Sequence, residues 1–486
     1  MKRRPTVFSN FSLACVDVAM LHLSIILAFG MRSELGLFQS LEMANLQSYF
    51  ELAPWMSFIM ILVFFYMDLY DTGNRKKYAN FCYSIVISIV IMNVVMLALA
   101  FWNRNFAYPR SVIVLAGVFQ CLLITAYRYG IWRLVKRLHG QRSVLIVTDD
   151  EHSGARLAGK LHQHPEGWFA LKRTVSPQAL LEDASIVEDV DIVLIGCDMT
   201  SEKAKQCMDN AIALGKEVMV VPDSYQIFLH HSYTQQIADT IVLSVQQSFL
   251  TRRQQRLKRL FDLTLTSIML AVSLPIMAGI WLLIKSTSHG PVVFKQERVG
   301  HLGRPFIIYK FRSMVNNAEE KTGPILARDG DSRITPVGRF IRSTRLDELP
   351  QLFNVLKGEM SLIGPRPERA CFTREYEVKI RDYRHRISVK PGITGLAQVM
   401  SNYTTTMEDK VRYDLLYGHN YSLLLDMKIL FQTVRIVFQR DSVRGVADAD
   451  PDSHACDRQG LVDANYAVAK AESNLEVAVG EGRSLR

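Results

Sequence analysis

Two adjacent carboxylates, Asp347 and Glu348, lie beside a group of arginines in the second half of the chain. The arginines precede them at intervals of three residues: Arg339, Arg342 and Arg345. A carboxylate pair next to cations can bind a divalent metal, attack a phosphoryl group, or bind a diphosphate through the metal. A helix is predicted to begin near Asp347, with Pro350 in its first turn. The alternative role of the acids is structural: Thr344 or Asp347 caps this helix, and the acids favour its positive end.

Further cations occupy segments that are predicted to be strands or tight turns. The segment Pro305–Met314 is predicted to be a strand with Lys310 and Arg312 on one face, two positions apart. Arg366 lies between two prolines in a rigid turn, Gly364–Glu368. These cations either bind phosphates or form an exposed basic surface, and no single segment decides between the two.

Composition narrows the class of protein and of partner. The chain has 486 residues and a net charge of +10, from 57 basic and 47 acidic residues. Such a surplus indicates an anionic partner, namely phosphates, acidic lipid or nucleic acid, and we expect the first two and no nucleic acid. Hydrophobic residues make up 49% of the chain, which excludes a mainly disordered protein. The seven cysteines are scattered without a CxxC pair, so neither a disulfide framework nor a zinc ribbon is expected.

The first part of the chain is predicted to be embedded in a membrane. Four apolar stretches of about 20 residues, the length that crosses a bilayer as a helix, lie at roughly 11–31, 52–70, 81–102 and 111–132. Basic residues before the first stretch, between the second and third, and after the fourth predict that both ends of this bundle are cytoplasmic. Asp17 and His22 are either functional ionisable groups or, as we favour, groups that face neighbouring helices.

A fifth apolar segment, residues 263–284, contains Pro275 near its middle and has basic residues on both flanks. Positive flanks favour a cytoplasmic position for both ends, and a proline inside a helix kinks or breaks it. We therefore predict a re-entrant helix hairpin that dips into one leaflet. A kinked fifth span is the alternative.

Between these membrane regions the pattern alternates between strands and helices. Buried strands are predicted at Val144–Val147, Ile192–Ile195 and Val218–Val221, with helices near 153–163 and 201–214. This alternation predicts a parallel sheet with helices on its faces, a Rossmann-like α/β unit. The chain has no GxGxxG motif, and three acidic residues follow the first strand, so we expect no nicotinamide cofactor there.

From about residue 258 to 440 the sequence resembles the bacterial sugar transferase family, the polyprenyl-phosphate hexose-1-phosphate transferases or monotopic phosphoglycosyl transferases. The resemblance rests on motifs in the same order: Lys258-Arg259, Phe261-Asp262, Tyr309–Met314, Asp331 with Arg333, Leu346–Leu352, Gly364–Glu368 and Lys390–Gln398. Four spans and a Rossmann-like unit ahead of this region resemble the large members. Family members often have Ser-Pro at the hairpin break, whereas here Leu274 separates Ser273 from Pro275.

The resemblance implies a two-step transfer on the cytoplasmic side of the bacterial inner membrane. A UDP-sugar gives its hexose-1-phosphate to an enzyme carboxylate and releases UMP. Undecaprenyl phosphate then takes up the sugar phosphate, which initiates exopolysaccharide, capsule or O-antigen synthesis. By motif position, Asp347 is the catalytic nucleophile and holds the Mg²⁺ cofactor together with Glu348. Four cations would bind the substrate phosphates: Lys310, Arg312, Arg342 and Arg366.

The expected fold class is therefore a multi-pass membrane protein with three folded parts. Residues 1–140 form a four-span α-helical bundle, 141–250 a cytosolic Rossmann-like α/β domain, and 251–440 a mixed α/β catalytic domain on the re-entrant hairpin. Residues 441–486 are rich in Ala, Asp, Gly and Ser, which predicts a disordered acidic tail.

Other functions stay open at this stage. A membrane-bound nucleotide-sugar dehydratase or epimerase could share the front of the chain, but it needs the missing GxGxxG motif. A catalytically inactive membrane scaffold of polysaccharide assembly would not need the intact carboxylate pair. The large family members suggest a homodimer, although the sequence shows no self-complementary motif. The sequence does not determine which sugar is transferred.

Overall fold

The computed structural model describes most of the chain, in ten segments. They are residues 10–34, 43–70, 78–102, 110–163, 168–230, 232–245, 250–315, 331–380, 382–401 and 405–438. The tail at 441–486, and the basic residues at 2–4 and 75–77 on which the predicted orientation depends, lie outside these segments. The chain divides into two compact units, Met1–Asp223 and Ser224–Arg486, which are described separately.

The first unit begins with four long apolar helices. They are α1 (Asn10–Glu34), α2 (Met43–Tyr66), α3 (Tyr78–Trp102) and α4 (Arg110–His139). The four apolar stretches are thus confirmed as helices. Together with a helix of the second unit, the described residues contain five helices that are long and apolar enough to cross a membrane. How many of them cross stays a prediction.

The two ionisable side chains of α1 face neighbouring helices, as favoured above. Asp17 is buried and forms an ion pair with the guanidinium of Arg128 on α4. His22 is hydrogen-bonded to α2 through both ring nitrogens, at 2.9 Å from the Ser57 hydroxyl and 2.7 Å from the Tyr49 hydroxyl. Pairing of this kind removes most of the cost of burying polar groups between apolar helices.

The rest of the first unit alternates strands and helices. They are β1 (Arg142–Val147), α5 (Glu151–Gln163), β2 (Phe169–Val175), α6 (Pro177–Glu182), β3 (Ile192–Ile195), α7 (Ser201–Ala213) and β4 (Glu217–Val220). The strands form a parallel sheet in the order β2-β1-β3-β4, which confirms the mixed α/β organisation. The sequence missed β2, because it is an edge strand that exposes Lys172 and Arg173 instead of a continuous apolar run.

The turn after β1 is closed by a side chain of the same unit. The carboxylate of Asp198 accepts hydrogen bonds from the Thr148 hydroxyl at 2.6 Å and from the Asp150 amide at 2.7 Å. Asp150 in turn accepts a hydrogen bond from the Ser153 amide at the start of α5. A dinucleotide would need backbone amides of this turn for its pyrophosphate. The contacts therefore agree with the structural or regulatory role expected for this unit, which stays a prediction.

The second unit contains the remaining helices and strands. They are α8 (Ser224–His230), β5 (Tyr233–Ile237), β6 (Thr240–Ser244), α9 (Arg252–Thr287), β7 (Val293–Val299), β8 (Pro305–Phe311), α10 (Pro336–Ser343), α11 (Gln351–Lys357), β9 (Ser361–Ile363), α12 (Ala370–Lys379), β10 (Gly392–Thr394), α13 (Leu396–Met400), α14 (Met407–His419) and α15 (Leu423–Phe438). Strands β7 and β8 form an antiparallel hairpin, and β9 pairs with β10 in parallel. The main core lies where α9, α11, α14 and α15 meet these strands.

Helix α9 corrects one expectation. The predicted break at Pro275 does not interrupt the helix, which runs for 36 residues with Pro275 inside it. A proline removes one backbone hydrogen bond and crowds one carbonyl, and the turns on either side can keep the helix intact. Proline has no amide hydrogen, so the carbonyl of Ala271 lacks the donor that residue 275 would normally supply. The Ser273 hydroxyl does not replace it, because this hydroxyl donates to the carbonyl of Leu270.

One face of α9 packs on the second unit along its whole length. The buried residues recur at helical spacing: Lys258, Asp262, Thr266, Ser273, Met277, Ile280 and Ile284. The opposite face exposes apolar side chains, such as Leu260, Val272 and Leu282. A large exposed apolar surface of this kind is typical of contact with a membrane or a partner.

The polar end of this buried face anchors α9 to the core. Lys258 donates to the Asp426 carboxylate at 2.8 Å and to the Tyr417 hydroxyl at 3.0 Å. Arg259 donates to the carbonyls of Val355 and Leu356. These contacts give a structural role to the Lys258-Arg259 motif, whose function the sequence left unassigned.

Replacing Lys258 with methionine should lower the stability of the protein by about 3–5 kcal/mol, because the Asp426 carboxylate then stays buried without its cation. The thermal unfolding midpoint of the solubilised protein measures this loss. The double substitution Lys258→Met with Asp426→Leu removes both charges and should recover most of it. An unchanged midpoint in the single variant would contradict a stabilising role for the pair.

Candidate active site

Glu348 lies at the centre of the group of charges that the sequence singled out. Its Oε1 accepts hydrogen bonds from Lys310 Nζ at 3.0 Å and from Arg366 Nη2 at 2.9 Å. Lys310 comes from β8, Glu348 from a 3-10 turn, and Arg366 from the turn that follows β9. Three separate segments therefore meet at one carboxylate oxygen.

The two acids lie before the helix and not in its first turn, which corrects the prediction. Residues Leu346–Glu348 form a 3-10 turn, and α11 begins only at Gln351. Thr344 donates its hydroxyl to the Phe340 carbonyl of α10, and neither it nor Asp347 caps α11. Arg345 has a φ of 58°, and this left-handed residue ends α10 and turns the chain into the 3-10 turn.

Two contacts place α10 and α11 against β8. The carboxamide of Asn354 on α11 accepts from the Tyr309 amide at 3.1 Å and donates to the Ile307 carbonyl at 2.6 Å. On α10, a Cβ at Gly338 would lie 1.8 Å from the Ser313 carbonyl oxygen, so only glycine allows this close approach. The same packing brings Lys310 and the two acids together.

The two carboxylates differ in their electrostatics. Burial raises the pKa of Glu348, but the positive charges of Lys310 and Arg366 outweigh it and hold the pKa well below its usual range. Asp347 is 8% exposed, and burial together with the charge of Glu348 raises its pKa to about 6. Within the described residues the Asp347 carboxylate has no hydrogen-bond or ion-pair partner. The site therefore combines an ionised Glu348 with an Asp347 that is not paired with a cation of the described residues.

Arg342 and Arg345 complete the positive surroundings of Asp347. Both act on its charge and lower its pKa against the effect of burial. Arg342 is half-buried and pairs with no carboxylate in the described part of the chain, and its assignment to substrate phosphate stays a prediction. Arg345 also acts on Glu348. The sequence placed Arg345 near the acids but did not include it among the site residues.

The structure gives Arg312 a different environment from that of Lys310. Its guanidinium is buried and donates to the carbonyls of Ser288 and His289 and to the Ser288 hydroxyl. Strand β8 ends at Phe311, so the two-residue alternation no longer fixes the direction of this side chain. Arg312 thus connects β8 to the end of α9, and its assignment to the phosphate pocket stays a prediction.

Arg386 contacts the backbone of the site residue Arg366, and the sequence analysis did not identify it. Its guanidinium donates to the Arg366 carbonyl at 3.0 Å, to the Asp414 carboxylate at 3.0 Å and to the Tyr383 hydroxyl at 2.7 Å. Burial raises the pKa of Asp414 to about 6, and Arg386 opposes this rise. No motif distinguishes Arg386 from neighbouring surface arginines, because its role depends on segments remote in sequence.

Replacing Arg386 with glutamine should lower both the thermal midpoint and the activity, because Asp414 loses its cation and the Arg366 backbone loses its donor. The stability loss should be about 3–5 kcal/mol. Adding Asp414→Asn removes the unpaired charge and should restore the midpoint, whereas activity stays low because Arg366 is still unsupported. Recovery of activity in the double variant would show that Arg386 acts through stability alone.

The donor set is compatible with Mg²⁺. Magnesium is usually held by one or two carboxylates together with substrate phosphates and water, and Asp347 and Glu348 supply two adjacent carboxylates. No group of three or more His, Cys, Asp or Glu side chains that could hold a metal occurs among the described residues. The residues therefore fit an ion that binds together with a phosphate-bearing substrate.

Fold and site together define a membrane-associated protein whose second unit carries two adjacent, largely buried carboxylates among several cations. The family model described as bacterial sugar transferase matches residues 253–440, which include every residue of this site. A relative from Escherichia coli K12, a UDP-glucose:undecaprenyl-phosphate glucose-1-phosphate transferase, is 31% identical over 342 residues, 68% of this chain and 69% of the relative. The chain belongs to the bacterial sugar transferase family.

Two further relatives are more similar over shorter segments. A UDP-glucose:undecaprenyl-phosphate glucose-1-phosphate transferase of Klebsiella pneumoniae is 40% identical over 252 residues, 50% of this chain and 54% of the relative. A UDP-N-acetylgalactosamine-undecaprenyl-phosphate N-acetylgalactosaminephosphotransferase of Aeromonas hydrophila is 47% identical over 184 residues, 37% of this chain and 43% of the relative. The chain thus spans about half the length of these two relatives.

Proposed function

We propose that this protein transfers a hexose-1-phosphate from a UDP-sugar to undecaprenyl phosphate and releases UMP. The observation that carries the proposal is the pair at the site: Glu348 held by Lys310 and Arg366, beside an Asp347 carboxylate with no partner among the described residues. The relatives support the substrates, since all three are named as undecaprenyl-phosphate transferases of a sugar phosphate.

In the first step, an Asp347 oxygen attacks the phosphorus that carries the sugar. A bond forms between this oxygen and phosphorus, the bond to the bridging oxygen of the diphosphate breaks, and UMP leaves with the electron pair. Attack by one anion on another requires that the phosphate charge be neutralised. Arg342, Lys310 and Arg366 would supply that neutralisation, and Mg²⁺ held by Asp347 and Glu348 would add to it when bound.

In the second step, an oxygen of undecaprenyl phosphate attacks the same phosphorus and Asp347 leaves as a carboxylate. The product is a lipid-diphosphate-linked sugar, which would initiate exopolysaccharide, capsule or O-antigen synthesis. A covalent intermediate lets one cation-lined pocket serve both steps in turn. Burial of Asp347 supports this scheme, because it limits attack by water on the intermediate.

The proposed setting is the cytoplasmic side of the bacterial inner membrane, with both ends of α9 on that side and its exposed apolar face against the bilayer. Lys258, near the start of α9, bonds Asp426, and Ile284, near its end, packs with Val292 and Ile341. Both ends thus contact the same unit, whereas the ends of a crossing helix lie on opposite sides of the bilayer. Labelling single cysteines placed before and after α9 in intact cells tests this, and labels reaching only one of them would show that α9 crosses the bilayer.

The reaction is tested by UMP release from solubilised full-length protein with undecaprenyl phosphate, Mg²⁺ and a panel of UDP-sugars. The panel should include UDP-glucose, UDP-galactose and UDP-N-acetylgalactosamine, the sugars for which relatives are named. Continued release, beyond one UMP per protein molecule, should require both Mg²⁺ and the lipid, and is expected with one or more sugars. Folded protein that releases no UMP would favour the inactive scaffold.

The mass of the solubilised particle would test the proposed homodimer.

A further inference from the structure

The C-terminal end of α4 carries a groove of about 370 Å³ that the proposed reaction does not use. Its lining residues are Tyr129, Trp132, Arg133, Lys136 and Arg137. These positions recur at intervals of three and four, so they share one face of the helix. Val118 and Leu122 continue the same face towards the middle of α4 and are exposed.

Aromatic rings form one wall of this α4 groove. Tyr129 and Trp132 stack with ring centroids 6.0 Å apart and planes 17° apart. Trp168 stands edge-on to Trp132, with centroids 6.0 Å apart. Trp and Tyr concentrate at the headgroup level of bilayers, because their rings are apolar and their N–H or O–H is polar. A cluster of this kind at the end of an apolar helix indicates the membrane–water interface.

Among the described residues, no carboxylate neutralises the cations of the α4 groove. Lys136 Nζ lies 5.0 Å from the Trp132 ring centroid. In the described residues, no Asp or Glu forms an ion pair with Arg133, Lys136 or Arg137. Arg128, little more than one turn earlier on the same helix, is neutralised by Asp17. Among these cations of α4, the uncompensated charge therefore lies at the groove.

A buried hydrogen-bond donor also lacks an acceptor in the α4 groove. The Trp132 Nε1 is buried and has no acceptor among the described residues. The indole N–H can only donate, and leaving a buried donor unsatisfied is costly. Three cations and one donor without partners in the described part of the chain share this helical face, which favours an anion with several oxygen atoms.

We propose that the α4 groove binds the phosphate group of an anionic membrane lipid. The phosphate would lie between the three cations and the Trp132 indole, and the hydrocarbon chain would follow the exposed apolar side chains of Val118 and Leu122. Basic residues that only orient the bundle would need no groove beside stacked aromatic rings. The site does not depend on the transfer reaction, because none of its residues belongs to the carboxylate site.

The test measures binding of fluorescent phosphatidylglycerol to the full-length protein in detergent. Unlabelled phosphatidylglycerol, phosphatidylcholine, undecaprenyl phosphate and inorganic phosphate serve as competitors. The triple variant Arg133→Gln, Lys136→Gln and Arg137→Gln should bind roughly 100-fold more weakly, at about one kcal/mol per cation. The control variant Lys172→Gln, Arg173→Gln and Lys205→Gln removes three exposed charges from the same unit and should bind within about twofold of wild type.

Trp132→Phe keeps an aromatic ring but removes the donor, and should weaken binding severalfold with an unchanged thermal midpoint. Competition by phosphatidylglycerol or undecaprenyl phosphate supports the site, and the stronger competitor identifies the lipid. Equal binding to the triple and control variants would overturn the proposal. It would also be overturned if inorganic phosphate competed as well as either lipid, or if phosphatidylcholine competed as well as phosphatidylglycerol. Retained UMP release in the triple variant would show that loss of lipid binding is separate from the proposed reaction.

Discussion

Asp347→Asn should reduce UMP release by at least about 10⁴-fold, the scale of losing a nucleophile. The amide has nearly the same shape but neither the negative charge nor the nucleophilic oxygen needed at phosphorus. The fold should survive, because Asp347 has no hydrogen-bond or ion-pair partner in the described residues that the substitution would disrupt. Initial rates with the preferred UDP-sugar measure the effect, and the thermal midpoint checks the fold.

A second measurement isolates the covalent step. Without undecaprenyl phosphate, the wild-type protein should gain the mass of one hexose phosphate, and Asp347→Asn should not. Asp382→Asn is the matched control, since it makes the same change at a partly exposed carboxylate of the same unit. Near wild-type turnover in Asp347→Asn would move the nucleophile to another residue. If Asp347→Asn loses turnover but the wild-type protein gains no mass, the result would argue against a covalent intermediate.

Glu348→Gln should lower UMP release by about 10²–10³-fold, comparable with losing one preorganised electrostatic contact. Glutamine can still accept from Lys310 and Arg366, but it leaves both cations without a negative partner. If Glu348 also holds Mg²⁺, the Mg²⁺ concentration for half-maximal activity should rise in the variant. A titration of activity against Mg²⁺ measures both effects.

The control for this variant is Glu375→Gln, which breaks a surface ion pair with Lys379 that contributes little to stability. Its activity and Mg²⁺ requirement should match those of wild type. A lower rate in Glu348→Gln with an unchanged Mg²⁺ requirement would assign Glu348 to orienting Lys310 and Arg366 alone. Unchanged rates would remove Glu348 from the site.

Helices and strands that form from continuous apolar segments could be predicted without the structure. The apolar stretches became α1 to α4, and the apolar runs before and after α7 became β3 and β4. Burial of the side chains sets these patterns, so they are visible in the sequence itself. Edge strand β2 escaped detection because only part of it is buried.

The residues of the site also fall into two groups, those predicted by motifs and those that only the structure placed. The order of motifs identified Asp347 and Glu348 together with Lys310, Arg342 and Arg366, which the structure places around one turn. Arg312 was grouped with them because strand alternation was extended past the end of β8. Capping of α11 by Thr344 or Asp347 was a possible alternative in the sequence, because the left-handed conformation of Arg345 cannot be recognised from its residue type.

The sequence by itself determined the family, the apolar helices and the residue types available for chemistry, because each depends on local composition or on motifs of neighbouring residues. Only the tertiary structure decided which charges meet. Lys258 reaches Asp426 across 168 positions, and Arg386 reaches the carbonyl of Arg366 across 20. A charged side chain can be buried only where a partner from another segment satisfies it. The packing of α9, α14 and α15 determines which residue becomes that partner, and distance along the chain does not.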